Sequence, residues 1–251
     1  MNSQAPDCLL LFTKLPRPGR VKTRLAADLG DEAAAELASL FALDLCAALD
    51  QVPAQLVICC APEEDMNDAD VIAAARDWLG TGRQVRVQQG EDLGGRMENA
   101  LAWALAQGHP RAVLLGSDVP DFPAPLAAKA LSDLHHWDAV LCPVLDGGYC
   151  LIGFARHAFL PDIFHNMAWS RTDVCAKTLT RLDRAGLATA LLPPWHDVDD
   201  IKGLNTLYRL NHRTSFNASR TMAALSALHE TIAAHDLDLD YPAPCAPGEQ
   251  P

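Results

Sequence analysis

Lys14-Leu-Pro-Arg-Pro-Gly-Arg-Val-Lys-Thr-Arg-Leu25 follows directly on the apolar run Cys8-Leu-Leu-Leu-Phe12, and together they decide how the rest of the chain is read. A continuous apolar run without helical period predicts a parallel strand buried on both faces. The segment leaving its carboxyl end carries five cations, Lys14, Arg17, Arg20, Lys22 and Arg24, in a chain of formal net charge −12. Pro16 and Pro18 stiffen it, Gly19 lets the backbone approach an anion, and Thr23 adds a hydroxyl that could face phosphate or metal. Such concentrated positive charge suits a polyphosphate-binding loop. Taken alone, it also fits a solvated surface loop with ordinary lysines.

Downstream, strands and helices alternate. Leu37, Leu40, Phe41, Leu45 and Leu49 recur at helical spacing over Asp31 to Leu49, with Asp31 as N-cap. A strand over Gln55 to Cys60, a helix over Asp68 to Leu79 ended by Gly80-Thr81-Gly82, and a short strand over Gln84 to Val87 follow. Gly90-Glu-Asp-Leu-Gly-Gly-Arg-Met97 opens a helix running to about Gln107; Gly94 and Arg96 could meet an anion or a base edge, or simply cap the helix.

Arg111 to Gly116 is the next buried strand, and it delivers Ser117-Asp118-Val119-Pro120 to the carboxyl end of the sheet, where ligands bind in open α/β folds. Asp118 is the leading metal ligand there, well placed to hold Mg²⁺ or Mn²⁺ against a diphosphate. As an alternative it caps the helix that begins near Pro125. Asp138 to Val144 and Tyr149 to Phe154 are strands joined by Asp146-Gly147-Gly148, which predicts an antiparallel or bulged pair. That turn is either plain hairpin chemistry or a place for a sugar or acceptor.

Trp169-Ser170-Arg171 precedes a helix from about Asp173 to Ala185, with Ser170 and Asp173 as a capping-box-like start. Trp169 reads as a packing staple or a ligand platform, and Arg171 could contact a second anion. After a last strand, Thr189 to Leu192, comes His196-Asp197-Val198-Asp199-Asp200. Crowded carboxylates repel unless solvated or bound to a cation, so Asp197 or Asp199 could complete a metal site with Asp118. His196 is read as a surface residue. Ile201 to about Ala234 predicts two helices, and the Pro-rich end a disordered tail.

The 251 residues, 49% of them apolar, suffice for a single α/β domain, placed at residues 7–236 with the tail at 237–251. With 20 Lys and Arg against 32 Asp and Glu, a nucleic-acid or anionic-membrane surface is not expected. No stretch is long enough to span a bilayer and no leader pattern opens the chain, which predicts a cytoplasmic protein. The eight cysteines form no C-x-x-C pair and are read as buried small hydrophobes. Neither a Walker A loop nor a G-x-G-x-x-G fingerprint occurs.

The ordered set K-x-P-x-P-G-x-x-K-T-R-L, G-x-D-L-G-x-R-M, G-S-D-V-P, D-G-G-Y-x-L-I-G, W-S-R and D-V-D resembles a bacterial family of glycosyltransferases with the nucleotide-diphospho-sugar transferase (GT-A-like) fold, over about residues 7 to 210. At fold level the chain is also similar to 2-phospholactate guanylyltransferase and molybdenum-cofactor guanylyltransferase. The resemblance implies a three-layer α/β/α domain with a mostly parallel mixed sheet. It implies phosphate binding by Lys14, Lys22 and Arg24, a divalent metal on Asp118, and a second carboxylate from Asp197 or Asp199. Gly116 replaces the first Asp of the usual Asp-x-Asp, a pattern with one Asp that many guanylyltransferases of the fold share.

Three functions are therefore expected in order. The first is sugar transfer from a nucleotide diphosphate sugar to a small-molecule acceptor, with Asp118 on the metal, Asp146 or Asp199 as base, and Gly147, Gly148, Trp169 and Arg171 toward the acceptor. The second is nucleotidyl transfer from a nucleoside triphosphate, which five cations fit better. The third is a non-catalytic nucleotide-binding module. Oligomeric state is left open.

Overall fold

The apolar run at the amino end forms β1 (Cys8–Thr13), buried along its whole length. Each of Leu9, Leu10 and Leu11 is at most 1% exposed, and burying a leucine contributes about 1.5–3 kcal/mol. The computed structural model describes residues 5–169 and 171–228. β1 lies between β2 (Gln55–Cys60) and β4 (Arg111–Gly116), parallel to both, and β3 (Gln84–Val87) extends the sheet beyond β2. Past β4 the direction reverses. There β6 (Tyr149–Ala155) pairs antiparallel with β4 and with β5 (Ala139–Pro143), and β7 (Thr189–Leu191) runs parallel to β5. The seven-stranded order is β3-β2-β1-β4-β6-β5-β7.

Alternate side chains of β1 feed two cores. Leu9 and Leu11 pack beneath α2 (Asp31–Leu49), α3 (Asp68–Leu79) and α5 (Ala124–Asp133), while Cys8, Leu10 and Phe12 face α4 (Leu93–Ala106) and α6 (Val174–Arg184). This is the expected three-layer arrangement around a mostly parallel mixed sheet. A third cluster, with Leu25, Phe41, Leu204 and Leu225, joins α1 (Thr23–Leu29), α7 (Ile201–Asn211) and α8 (Arg220–Ala227) to α2. It brings the chain after β7 back over the basic segment.

The predicted hairpin is present, and the register of β5 on β6 shifts at Cys142/Pro143. Two local expectations change. The basic segment is not loop throughout, because α1 begins at Thr23; Gly30, at φ 86, separates α1 from α2 and is the N-cap in place of Asp31. Asp173 does precede α6, but its side chain makes no capping hydrogen bond. Ser170, the end of the second carboxyl-terminal helix, the boundary at 236 and the tail lie outside the described residues. Among those described, the cysteines are free and mostly buried, and burial pushes the Cys59 thiol up to about 12, so it packs as a protonated small hydrophobe. No described helix is long and apolar enough to cross a membrane.

Candidate active site

The strands β1 and β4 end side by side, and Ser117 N–H donates to Phe12 O at 2.9 Å. The chain beyond Asp118 is met by the segment after β7, whose Val198 N–H donates to Asp118 O at 2.8 Å. That bond brings Asp118 beside Asp197 and Asp199. A cleft of about 550 Å³ opens here, and its polar lining includes Lys14, Lys22, Thr23, Arg24, Arg96, Asp118, Asp197 and Asp199. Its apolar side includes Phe12, Met97, Leu114, Tyr149 and Ile152.

Only part of the basic segment's charge faces this cleft. Arg17 donates to both Asp65 oxygens at 2.6 and 2.7 Å and reaches Glu63 at 3.4 Å, while Arg20 lies 3.7 Å from Glu64. These two arginines tie the segment to the acidic loop after β2. The expectation that all five cations serve one phosphate chain is therefore corrected; Lys14 and Arg24 make no ion pair among the described residues and remain available. Gly19, at φ 72, faces Asp31 rather than the cleft.

Lys22 takes a different position from the one its sequence context suggested. Its ammonium contacts Asp118 and lies 3.1 Å from Asp199, with the side chain 7% exposed. It also lies 5.9 Å from the centre of the Phe41 ring. Burial acts to lower its pKa, but the charges of Asp118 and Asp199 and its hydrogen bonds to both prevail, so the pKa lies above the ordinary value. Among the described residues no three His, Cys, Asp or Glu side chains enclose a metal position. A lysine cation stands between the two carboxylates instead.

The other carboxylates divide by role. Asp200 caps α7 by accepting from Gly203 N–H at 2.9 Å. Asp121 is buried and accepts from Trp195 Nε1 at 2.9 Å and Asn211 Nδ2 at 2.7 Å, with His196 Nε2 3.3 Å away. Burial works to raise its pKa, yet His196 and these donors hold it below the usual carboxylate range. His196, expected at the surface, is thus buried as a partner of Asp121, and this network pins the segment carrying Asp197 and Asp199.

Burial first, then the negative charges of Asp199, Asp146 and Asp118, push the Asp197 carboxyl up to about 6. In the unfolded chain an Asp ionises near ~4. Between about pH 4 and 6 native Asp197 therefore holds a proton that the unfolded state has lost; its contribution to stability is full below about pH 4 and disappears as pH rises through about 6. Asp197→Asn is expected to stabilise the metal-free protein by about 1–2 kcal/mol at neutral pH, discounted for partial exposure, with the gain shrinking toward zero near pH 4. Urea unfolding in a chelator at both pH values checks this. An equal gain at both would sink it.

The residues expected near an acceptor are not brought into the cleft. Asp146 is exposed and accepts from Gly148 N–H at 2.9 Å, the hairpin-turn alternative. Gly147, at φ 92, lies so close to the next segment that a Cβ would meet Thr172 O at 1.9 Å. Trp169 stacks on Phe164 at 6.4 Å and packs edge-on to Tyr149, as a packing staple. A Cβ on Gly94 would meet Trp169 ring atoms at 2.7 and 2.8 Å, so Gly94 serves helix packing rather than an anion. Arg171, largely exposed, lies 3.6 Å from Asp173. Conversely, Gln88 lines the cleft, with its Nε2 donating to Cys59 O at 2.8 Å. It is the first residue after β3, and the rule that ligands meet strand carboxyl ends could have found it.

An open, mostly parallel sheet with a polar cleft over its carboxyl edge defines a nucleotide-diphospho-sugar transferase-like domain. The chain belongs to the family described as "Uncharacterized protein conserved in bacteria" (DUF2064), whose model matches residues 43–171. It is 43% identical to a Desulfovibrio desulfuricans G20 protein described as a "putative nucleotide-diphospho-sugar transferase", covering 93% of this chain and 100% of that one with a TM-score of 0.89. A cytidylyltransferase from Leptospira borgpetersenii serovar Hardjo-bovis is similar in fold, at 13% identity, 94% and 99% coverage and a TM-score of 0.54. The CMP:2-keto-3-deoxy-manno-octonic acid synthetase complexed with CTP is similar at 10% identity, 80% and 96% coverage and a TM-score of 0.50. No curated protein matches the chain.

Proposed function

We propose that this protein transfers a glycosyl group from a nucleotide diphosphate sugar to a small-molecule acceptor with the help of Mg²⁺ or Mn²⁺. The observation that carries the reading is the cleft at the carboxyl edge, which Lys14 and Arg24 line together with the carboxylates Asp118, Asp197 and Asp199. The description of the 43%-identical relative supports it. Lys14 and Arg24 would bind the diphosphate and stabilise charge developing on it as the sugar departs. Hard carboxylate oxygens on Asp118 and Asp199 would hold Mg²⁺ or Mn²⁺, which when bound would supply Lewis-acid stabilisation of the departing diphosphate. Asp197, which has no cation partner among the described residues and whose pKa is pushed up to about 6, suits the base that accepts the acceptor's proton better than Asp146, held in its turn. The apolar side of the cleft is left for the base and acceptor.

Nucleotidyl transfer loses its particular support, since Arg17 and Arg20 are engaged by Glu63, Glu64 and Asp65 and no longer favour a triphosphate. A thermal-unfolding screen with Mn²⁺ against nucleoside triphosphates, diphosphates and nucleotide sugars tests the choice. A ligand at a hundredfold excess over Kd adds about 2.7 kcal/mol, which moves Tm by roughly 5–10 °C in a domain of this size. The expected outcome is a metal-dependent shift largest with one nucleotide sugar. A larger shift with a single triphosphate would favour nucleotidyl transfer, and none with any nucleotide would remove the reading.

A further inference from the structure

From the placement of Lys22 we infer that its ammonium and the divalent cation are alternative occupants of one position between Asp118 and Asp199, so that metal loads efficiently only when diphosphate is present to take the ammonium. This rests on the metal-dependent reading above and specifies how that site fills.

Lys22 touches Asp118 and lies 3.1 Å from Asp199, and at 7% exposure its side chain is directed into the site rather than solvent. Its backbone sits at φ 47, ψ 43, a left-handed conformation unfavourable for a residue with a Cβ. At this left-handed residue the chain enters α1, and its side chain ends between the two carboxylates. A divalent ion drawing on those same oxygens would stand at contact distance from a second positive charge, a strongly repulsive arrangement in a partly buried site. The ion therefore has to expel the ammonium. Once Asp118 and Asp199 are on the ion, the expelled ammonium finds in the cleft the three cations Lys14, Arg24 and Arg96 and the single carboxylate of Asp197, whereas a bound diphosphate offers several charged acceptors within reach of a flexible four-carbon stem. Lys22 thus keeps the carboxylates paired while the cleft is empty and passes to phosphate when the metal arrives. The consequence is selection for the metal–diphosphate complex over the free ion.

Mn²⁺ binding followed by electron paramagnetic resonance tests this on the full chain, with inorganic pyrophosphate as the diphosphate probe. Lys22→Met keeps the stem and removes the charge; Lys14→Met removes a cation that lines the same cleft without touching the carboxylates. Without pyrophosphate, Lys22→Met is expected to bind Mn²⁺ about tenfold or more tightly than the parent, and Lys14→Met within about threefold of it. Pyrophosphate should tighten Mn²⁺ binding by a larger factor in the parent than in Lys22→Met. Equal gains from both substitutions, or none from Lys22→Met while the parent binds Mn²⁺ with pyrophosphate, overturn the exchange and leave the metal-dependent reading intact. Absence of Mn²⁺ binding in the parent with pyrophosphate and in Lys22→Met overturns both. Should Lys22→Met fail to unfold cooperatively, acetic anhydride labelling of the parent decides: saturating Mn²⁺ should raise Lys22 acylation severalfold, and unchanged labelling overturns the exchange.

Discussion

Asp118→Ala should lose at least about a thousandfold in kcat, some 4 kcal/mol of transition-state stabilisation, because it removes both the carboxylate proposed to hold the metal and one of the two partners of Lys22. The fold should survive. The side chain is 52% exposed, its pair with Lys22 is therefore partly screened, and Val198 is held by the backbone carbonyl rather than the carboxylate. Turnover assayed with the nucleotide sugar selected by the thermal screen, alongside a urea unfolding curve, separates the two quantities. Activity within tenfold of the parent would remove Asp118 from the proposed machinery. A collapse of the unfolding midpoint would make the loss a matter of stability.

Gly147→Ala should be the most damaging single-methyl substitution at the site's edge, costing about 3 kcal/mol or more and lowering Tm by roughly 6–12 °C. Two causes add. At φ 92 a side chain is strained whatever the space, and the new Cβ would lie 1.9 Å from Thr172 O and 2.5 Å from Thr172 C, backbone atoms that cannot move aside alone. The carbonyl of Gly147 also accepts from Cys175 N–H at 2.9 Å, so displacing the turn pulls on the start of α6. Gly148→Ala is the control, since its Cβ would meet only Asp146 Oδ1 at 3.3 Å and Val144 Cγ2 at 3.5 Å; a loss below about 1 kcal/mol is expected. If Gly147→Ala melted with the parent and instead raised KM for the acceptor, the turn would belong to the acceptor site after all.

These two residues show how unevenly the chain discloses itself. The place of Asp118 beside the cleft was legible because, in an open α/β sheet, the residues that follow a buried strand stand at its carboxyl end, where ligands lie. Gln88 follows the same rule after β3, but without a motif around it the rule passed over it. Gly147 and Gly94 looked like flexible backbone next to a ligand, since sequence shows the missing Cβ and not the neighbour that would collide with it. Those neighbours, Thr172 for one and Phe164 with Trp169 for the other, arrive from distant parts of the chain. His196 was misplaced for the same reason, its buried partner Asp121 lying 75 residues away by number.

By itself the sequence determined the layers: the strands follow from short continuous apolar runs and the helices from apolar spacing near 3.6 residues, and the cleft's place from where β1 and β4 end. Charge pairing was decided by tertiary structure alone. Arg17 and Arg20 are taken up by Glu63, Glu64 and Asp65, and Lys22 by Asp118 and Asp199, across separations that no local spacing records. A residue's neighbours along the chain set its backbone conformation, but Coulomb energy depends on distance in space: the pairing of β1 with β2 brings Arg17 and Arg20 to the acidic loop, and the docking of the segment after β7 against β4 brings Asp199 beside Asp118 and Lys22.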